Sequence, residues 1–310
     1  MSHQRIERWN KMEIEIKNLF TFYDVLGRPL TLIEIFIHLP SLKQNIQETR
    51  RILSKLIREK IVIEEDGFYR LRGASYDSMS RRKQDLLGDM KWKKLVKLSR
   101  WFRYVPFVQF VVASGSLAFG NVNARSDFDV VVGVSSGRMF TARYFLLALF
   151  SLLHGRRMDD AHESSPDKLC FNHFVTPDTY EKLPHNTYRL QLYRNTIPLW
   201  GDENALQDFI TQNVWADLPQ NSVYDTHRNK LAPSNVKIIL EKLLKGSLGE
   251  FVEQKIMRPI AMKRLEKYIA NKENNGRVVV SDKELEFHFN LNYEKRFSDT
   301  ATSLSCEDCG

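Results

Sequence analysis

Two aspartates separated by one residue are the strongest chemical signal in this sequence. Asp127 and Asp129 open an apolar run that continues through Val132, a pattern typical of a buried strand. Alternate residues of a strand leave the same face, so both carboxylates are predicted to point the same way. Two carboxylates a few ångströms apart repel each other by about 4 kcal/mol at an effective dielectric constant near 20. A cation relieves that repulsion, and Mg²⁺, which prefers oxygen ligands and bridges to phosphates, is the natural one.

A glycine–serine pair lies about ten residues before the aspartates. The run from Phe107 to Ala113 predicts a buried strand, and a short helix is expected to start at Gly115 and Ser116. Backbone N–H groups at a helix N-terminus can bind phosphate, and glycine allows the phosphate to approach closely. Ser116 adds a hydroxyl donor. The sequence therefore predicts a phosphate-binding loop in front of the aspartates.

Taken together, Gly115-Ser116 and Asp127-Phe128-Asp129 resemble the signature of the DNA polymerase β-like nucleotidyltransferases, over roughly residues 105–180. The resemblance implies an α/β (α+β) core with a mixed sheet, a nucleoside triphosphate substrate, and Mg²⁺ or Mn²⁺. It also implies that Gly115 and Ser116 hold the triphosphate. Asp127 and Asp129 would bind two metal ions that activate the acceptor and stabilise the leaving pyrophosphate.

The family usually supplies a third carboxylate from a later strand, and this sequence departs from that pattern. The later strand is predicted from Lys168 to Val175, and the expected position falls at Asn172 or His173. Asn172 can offer a carbonyl oxygen to a metal but cannot act as a base, and His173 is expected on the other face if Asn172 points inward. Nearby acidic residues that would substitute are Asp159, Asp160, Glu163 and Asp167.

Arg143 is the candidate for a further contact with the nucleotide. It is predicted one turn into the helix that follows the aspartate strand. A guanidinium group suits phosphate because its planar fork donates two parallel hydrogen bonds. The alternative is an ordinary arginine on a helix surface.

Residues 11–73 have the pattern of three helices followed by a strand, a turn and a strand. Thr31 and Glu34 predict a capping box at the second helix, and the third helix is predicted from about Leu42 to Glu59. The arrangement resembles the winged helix-turn-helix family, in which the third helix enters the major groove. The alternative is a protein-docking module. Basic residues on or near a nucleic-acid face would be Lys43, Arg50, Arg51, Lys55 and Arg58.

A basic amphipathic helix is predicted from roughly Tyr76 to Tyr104. The chain carries a net charge of +8, and the stretch from Arg81 to Arg103 holds nine basic residues against two acidic ones. Such a surface attracts polyanions through Coulomb forces and counterion release. The sequence therefore predicts DNA or RNA as a partner, with a merely solvated helix face as the alternative.

The domain organisation follows from these segments. We predict a winged helix domain over 1–73, a basic connecting helix over 74–104, a nucleotidyltransferase core over 105–200, a mainly helical region over 201–296 and a flexible tail over 297–310. No apolar run is long enough for a membrane helix, and no signal peptide is recognisable. These features and only three cysteines predict a cytoplasmic protein with no membrane partner. The sequence leaves the oligomeric state open.

The functional prediction is a metal-dependent nucleotidyltransferase that moves a nucleoside monophosphate to an acceptor, with a nucleic acid favoured as the acceptor. One alternative is a nucleic-acid-binding regulator whose transferase domain binds nucleotide without turnover, which the missing third carboxylate favours. Another alternative is a transferase that places AMP on a protein.

Overall fold

The structure, a computed structural model, describes residues 3–39, 45–157, 165–181, 187–216, 227–270 and 277–288. Residues 3–71, the N-terminal unit, combine helices with a small antiparallel sheet of order β1-β3-β2. Ile16, Ile35, Ile52 and Leu56 form its fully buried centre. The elements are α1 (His3–Val25), β1 (Leu30–Thr31), α2 (Leu32–His38), α3 (Ile46–Arg58), β2 (Val62–Glu65) and β3 (Phe68–Leu71).

The helix starts in this unit follow from side-chain caps. The hydroxyl of Thr31 accepts a hydrogen bond from the backbone of Glu34, whose carboxylate accepts one in return, which confirms the predicted capping box. Asn45 caps α3 by accepting from the backbone of Gln47 at 2.9 Å. Residues 40–44, which include the predicted helix start at Leu42, lie outside the described residues.

The basic connecting helix is α4 (Ser78–Ser99), which begins where Asp77 accepts a hydrogen bond from the backbone of Ser80. Its apolar side packs on the rest of the chain: Leu95 is fully buried, and Trp92 and Leu98 are half-buried. Two of its basic residues, Arg81 and Lys91, are buried as well. The helix is therefore less of a free basic surface than its sequence suggests.

A six-stranded mixed sheet of order β7-β4-β5-β6-β9-β8 occupies the centre of the molecule. Strands β5 and β6 are parallel and the other neighbours are antiparallel, so the predicted mixed sheet is confirmed. The remaining elements are β4 (Val108–Ala113), α5 (Gly115–Phe119), β5 (Phe128–Val134), α6 (Met139–Leu152), β6 (Leu169–Val175), α7 (Thr187–Arg194), β7 (Ile197–Gly201), α8 (Glu203–Gln212), α9 (Asn235–Leu243), α10 (Ser247–Phe251), α11 (Arg258–Ala270), β8 (Arg277–Val280) and β9 (Glu284–His288).

Helices cover both faces of this sheet. Buried residues of α4, α6 and α11, such as Leu95, Leu146 and Leu265, share one core with the sheet. On the other face, α7 and α8 contribute Tyr193 and Phe209 to a second core. The hairpin of β8 and β9 pairs with β6, so the sheet extends into the region predicted as mainly helical. No helix among the described residues has the length and apolar content that crossing a membrane requires.

The strands of the sheet begin and end at two opposite edges, and different helices pack against each of these edges. β4 ends and β5 begins at one of them, which we call the carboxylate edge because Asp127 and Asp129 lie there. At the opposite edge, Glu241 accepts a hydrogen bond from the backbone of Phe107, and Glu253 accepts from the first residues of α6. These contacts hold α9 and the helical turns after α10 away from the carboxylate edge, which instead adjoins α4 and the N-terminal unit.

Candidate metal and nucleotide site

Asp127 and Asp129 lie side by side at the start of β5. Asp127 directly precedes the strand and Asp129 is its second residue, with the fully buried ring of Phe128 anchoring the segment between them. Both aspartates are half-buried. An oxygen of each carboxylate and the sulfur of Cys170 all lie within 4.8 Å of one another. The predicted proximity of the two carboxylates is confirmed.

The later strand reaches this pair through a bulge in the parallel ladder. Asp129 is opposite Cys170, but Val131 is opposite His173, so β6 has one residue more than β5 between these pairs. Nδ2 of Asn172 lies 3.4 Å from Oδ1 of Asp129. His173 also projects from the face of Asp129, because it is opposite Val131, two residues further along β5.

Because of this bulge, the prediction that Asn172 and His173 project from opposite faces of the strand is wrong. His173 is nevertheless directed away from the aspartates and towards β9, where its Nε2 lies 3.6 Å from a carboxylate oxygen of Glu284. The third position of the site is therefore shared by Asn172 and Cys170, and neither carries a carboxylate.

The negative charge of the pair is compensated within the chain. Nη1 of Arg157 donates a hydrogen bond of 2.9 Å to Oδ2 of Asp127. Burial, followed by the negative charge of Asp127, raises the pKa of Asp129 to about 7. Burial and the nearby carboxylates also raise the pKa of the Cys170 thiol well above its ordinary value. A proton and a guanidinium group thus allow the fold to retain the two aspartates before any metal binds.

The glycine of the predicted phosphate loop lies directly on the pair. Gly115 has a φ of +63°, and a Cβ at this position would overlap the carboxylate of Asp129. The backbone N–H of Ser114 donates to the backbone oxygen of Asp129 at 3.0 Å, which holds the loop against β5. Ser116 follows at the start of α5. The structure therefore brings the loop and the aspartates together as predicted.

Asp167 is committed to another role. Its carboxylate binds Nζ of Lys91 at 2.8 Å and also pairs with Lys94. Although burial alone would raise the pKa of Asp167, the hydrogen bonds from the two lysines keep it below its ordinary value. Lys91 also donates to the backbone oxygen of Ser126, next to the aspartate pair. The other proposed substitutes, Asp159, Asp160 and Glu163, lie outside the described residues.

Arg143 lies elsewhere. It is in the second turn of α6, which starts at the opposite edge, and its guanidinium group lies 5.9 Å from the ring centre of Phe287. It lines a cavity between α6 and α11 whose lining includes neither aspartate. The arginine that the fold delivers to the aspartates is Arg157, because α6 returns the chain to the carboxylate edge. The structure therefore places Arg157, rather than Arg143, beside the aspartates.

Sequence reasoning missed two residues of the site. Cys170 stands in an apolar run and reveals its role only when the parallel register places it opposite Asp129. Arg157 follows a helix of 14 residues, which spans about 21 Å and so brings it back to the start of β5. The length of this helix between two strands is the signal that would have found Arg157.

Comparison of the chain with protein-family models, with curated proteins and with solved structures finds no match in any of the three. The functional interpretation accordingly rests on the residues and geometry described above.

Proposed function

We propose that this protein is a metal-dependent nucleotidyltransferase of the DNA polymerase β-like type. It would move a nucleoside monophosphate from a triphosphate to an acceptor and release pyrophosphate. The observation that carries the proposal is the close approach of Gly115 to the carboxylate of Asp129, beside Asp127. A phosphate-binding loop on a pair of carboxylates is the arrangement that a metal–triphosphate complex requires.

The residues present fit a divalent cation. Asp127 and Asp129 offer oxygen ligands from a rigid strand, and the absence of a side chain at Gly115 lets the loop backbone approach the carboxylate of Asp129. A bound metal supplies Lewis-acid activation of the phosphoryl group and of the acceptor hydroxyl. The role of Gly115 and Ser116 is to hold the phosphates with backbone and hydroxyl donors. Arg157, which is about one-third exposed, would release Asp127 and pair with the triphosphate instead.

The N-terminal unit supports a nucleic acid as the acceptor. Its three helices and three-stranded antiparallel sheet are consistent with the predicted winged helix, in which α3 would contact the major groove. Arg50, Arg51 and Arg58 are exposed on α3, whereas Lys55 is bound to Glu13 at 2.7 Å. Lys43 lies outside the described residues. On α4, Lys93, Lys94 and Lys97 are exposed, and Lys94 pairs with Asp167.

A nucleotide-binding regulator without turnover is the second candidate, and one observation favours it. Among the described residues, the metal-binding group at the aspartates contains no third carboxylate, and Arg157 already neutralises Asp127. A domain arranged in this way can bind a nucleotide without catalysing its transfer. A labelling experiment with nucleoside triphosphates distinguishes this candidate from the enzyme.

The test incubates the full chain with each α-labelled nucleoside triphosphate, with Mg²⁺ or Mn²⁺, and with total RNA, DNA or cell lysate. The Asp127→Asn/Asp129→Asn double variant is the matched control. If the protein is a nucleotidyltransferase, the label should appear on one class of acceptor, and an equal amount of pyrophosphate should be released. The double variant should transfer no label. Label on protein alone would identify a protein-AMP transferase. Nucleotide binding without pyrophosphate under every condition would overturn the transferase and leave the regulator.

A further inference from the structure

We propose that the sulfur of Cys170 is the third protein ligand of the metal held by Asp127 and Asp129. The site would then take a thiophilic divalent cation such as Zn²⁺ or Co²⁺ in preference to Mg²⁺. This inference rests on the proposed function only for the position of the metal. It does not depend on transfer of a nucleotide.

The parallel register places the sulfur beside both carboxylates. Cys170 is directly opposite Asp129 on the neighbouring strand, and the three potential ligand atoms lie within 4.8 Å of one another. Ligand bonds of 2.0–2.3 Å in a tetrahedral arrangement put oxygen and sulfur about 3.5 Å apart. A bound metal would draw these atoms together by rotation of the three side chains.

The other candidates for the third position are less suitable. Asn172 presents its Nδ2 group to Asp129 at 3.4 Å, so its amide would have to turn over before its carbonyl oxygen could reach the metal. His173 lies beside Glu284, and Asp167 is held by Lys91 and Lys94. Within the described part of the chain, Cys170 is the remaining residue that can complete the group around the two aspartates.

The charge of this ligand set equals that of three carboxylates. A coordinated cysteine binds as the thiolate, and its proton passes to solvent when the metal enters. Asp127, Asp129 and Cys170 then contribute three negative charges, the same number that two aspartates and a third carboxylate would contribute. Thiolate is a soft ligand, whereas Mg²⁺ prefers oxygen. The substitution of sulfur for oxygen therefore changes the metal that is preferred, rather than the charge at the site.

Cobalt is the probe that reports sulfur ligation directly. We expect Co²⁺ titrated into the full chain to produce a sulfur-to-cobalt charge-transfer band in the near ultraviolet. Cys170→Ser should remove the band and weaken Co²⁺ binding by about tenfold or more, since even residues that only support a ligand contribute that much. Cys306→Ser/Cys309→Ser, which removes the other two cysteines, is the matched control and should retain the band.

A second variant keeps the test decisive if serine disturbs the strand. Cys170→Asp should shift the preference from Co²⁺ towards Mg²⁺, measured as the ratio of the two dissociation constants by calorimetry. A band that survives in Cys170→Ser, or that disappears with Cys306 and Cys309, would overturn the assignment. Transfer with Mg²⁺ and no cobalt–sulfur band would refute the ligand but not the enzyme. A band without transfer under any condition would refute the enzyme but not the ligand.

Discussion

At the scale of single residues, the state of Asp127 and Asp129 before a metal binds determines what substitutions there will do. Arg157 neutralises one carboxylate, and the pKa of the other is raised to about 7 by burial and by its neighbour. Keeping these two acidic side chains close together therefore lowers the stability of the metal-free fold. Its retention beside Gly115 is more easily understood as a requirement for function than for folding.

Asp129→Asn is expected to abolish transfer and to leave the fold intact. Removing one metal ligand should lower the rate by a factor of about 100 or more, on the scale of losing one group that stabilises a transition state. The melting temperature should stay the same or rise, because a repulsive pair has been relieved. Initial rates and thermal melting of the same preparation check both points. A variant that keeps its rate would show that Asp129 is not a metal ligand.

The titration of Asp129 should make a destabilising contribution to the metal-free protein as the pH rises from about 4 to about 7. The pKa of Asp129 is higher in the folded state than in the unfolded state, so the folded state binds more protons in this range. The contribution of Asp129 to the free energy of unfolding therefore falls with increasing pH, and it is complete only below the unfolded pKa. Denaturant melts with a chelator, at pH 4.5 and pH 7, measure the change. Asp129→Asn lacks this contribution, so the change in its free energy of unfolding from pH 4.5 to pH 7 should be more favourable than that of the wild type.

Asn172→Asp is expected to raise the rate of transfer. A carboxylate at this position strengthens the metal site near the acceptor and can accept a proton. Without metal it should destabilise the protein, because Nδ2 of Asn172 now donates towards Asp129 and the variant places a third negative charge there. Initial rates against Mn²⁺ concentration, with melting temperatures with and without metal, provide the test. Lower stability that no metal restores, with no gain in rate, would indicate a purely structural amide.

At the scale of elements, α4 combines two roles that its sequence does not separate. Lys91 is buried and holds Asp167 and the backbone of Ser126, so it positions the segment that leads into β5. Lys93 and Lys97 are exposed on the same helix. Charge changes on α4 must therefore be chosen by exposure. Breaking a buried ion pair at Lys91 would cost about 3 kcal/mol and confuse binding with folding.

Lys93→Glu/Lys97→Glu should weaken binding to DNA or RNA and leave stability unchanged. Each lysine that contacts phosphate contributes about one unit to the slope of log K against log salt, so we expect the slope to fall by about two. Fluorescence anisotropy over a range of salt concentrations measures this. Lys242→Glu/Lys245→Glu makes the same charge change on exposed residues near the opposite edge and should have little effect. Equal losses in both variants would mean that binding follows net charge rather than this surface.

At the scale of the whole molecule, the N-terminal unit contacts the loop and short helix that begin at Gly115. Arg28 donates a hydrogen bond of 2.6 Å to the backbone oxygen of Gly120, at the end of α5, and pairs with Asp85 of α4. Phe119 of α5 packs against Phe22 within the core of the N-terminal unit. The loop that begins at Gly115 thus lies between the N-terminal unit and the six-stranded sheet. We therefore expect a substitution at this contact to affect the loop.

Arg28→Ala is therefore expected to weaken nucleotide binding by about tenfold, the scale of one charge-assisted hydrogen bond. The loss should appear in the dissociation constant of the nucleotide, whereas Co²⁺ binding at the aspartates should be unchanged. Arg82→Ala, which removes an exposed arginine of α4 that pairs with Asp66, is the control. An identical nucleotide affinity in Arg28→Ala and the wild type would show that the two units are independent at this loop.

Local sequence pattern was sufficient to predict strands β2 to β6, the Thr31 capping box, the helix start at Gly115 and the proximity of Asp127 and Asp129. Each of these depends on residues within a few positions of one another, where alternation, capping and backbone conformation act directly. The mixed sheet followed from the resemblance. The winged helix, the nucleic-acid partner and the enzymatic activity stay predictions.

Only the tertiary structure placed Cys170 and Arg157 beside the aspartates, assigned Asp167 to Lys91 and removed Arg143 from the site. These outcomes depend on the register of two parallel strands, on a bulge in one of them and on the length of the helix that connects them. Register and bulges are selected by packing across the whole sheet, because a shift of one residue moves every side chain of a strand to the other face. That selection involves residues about 30 to 80 positions apart, which no local pattern in the sequence can encode.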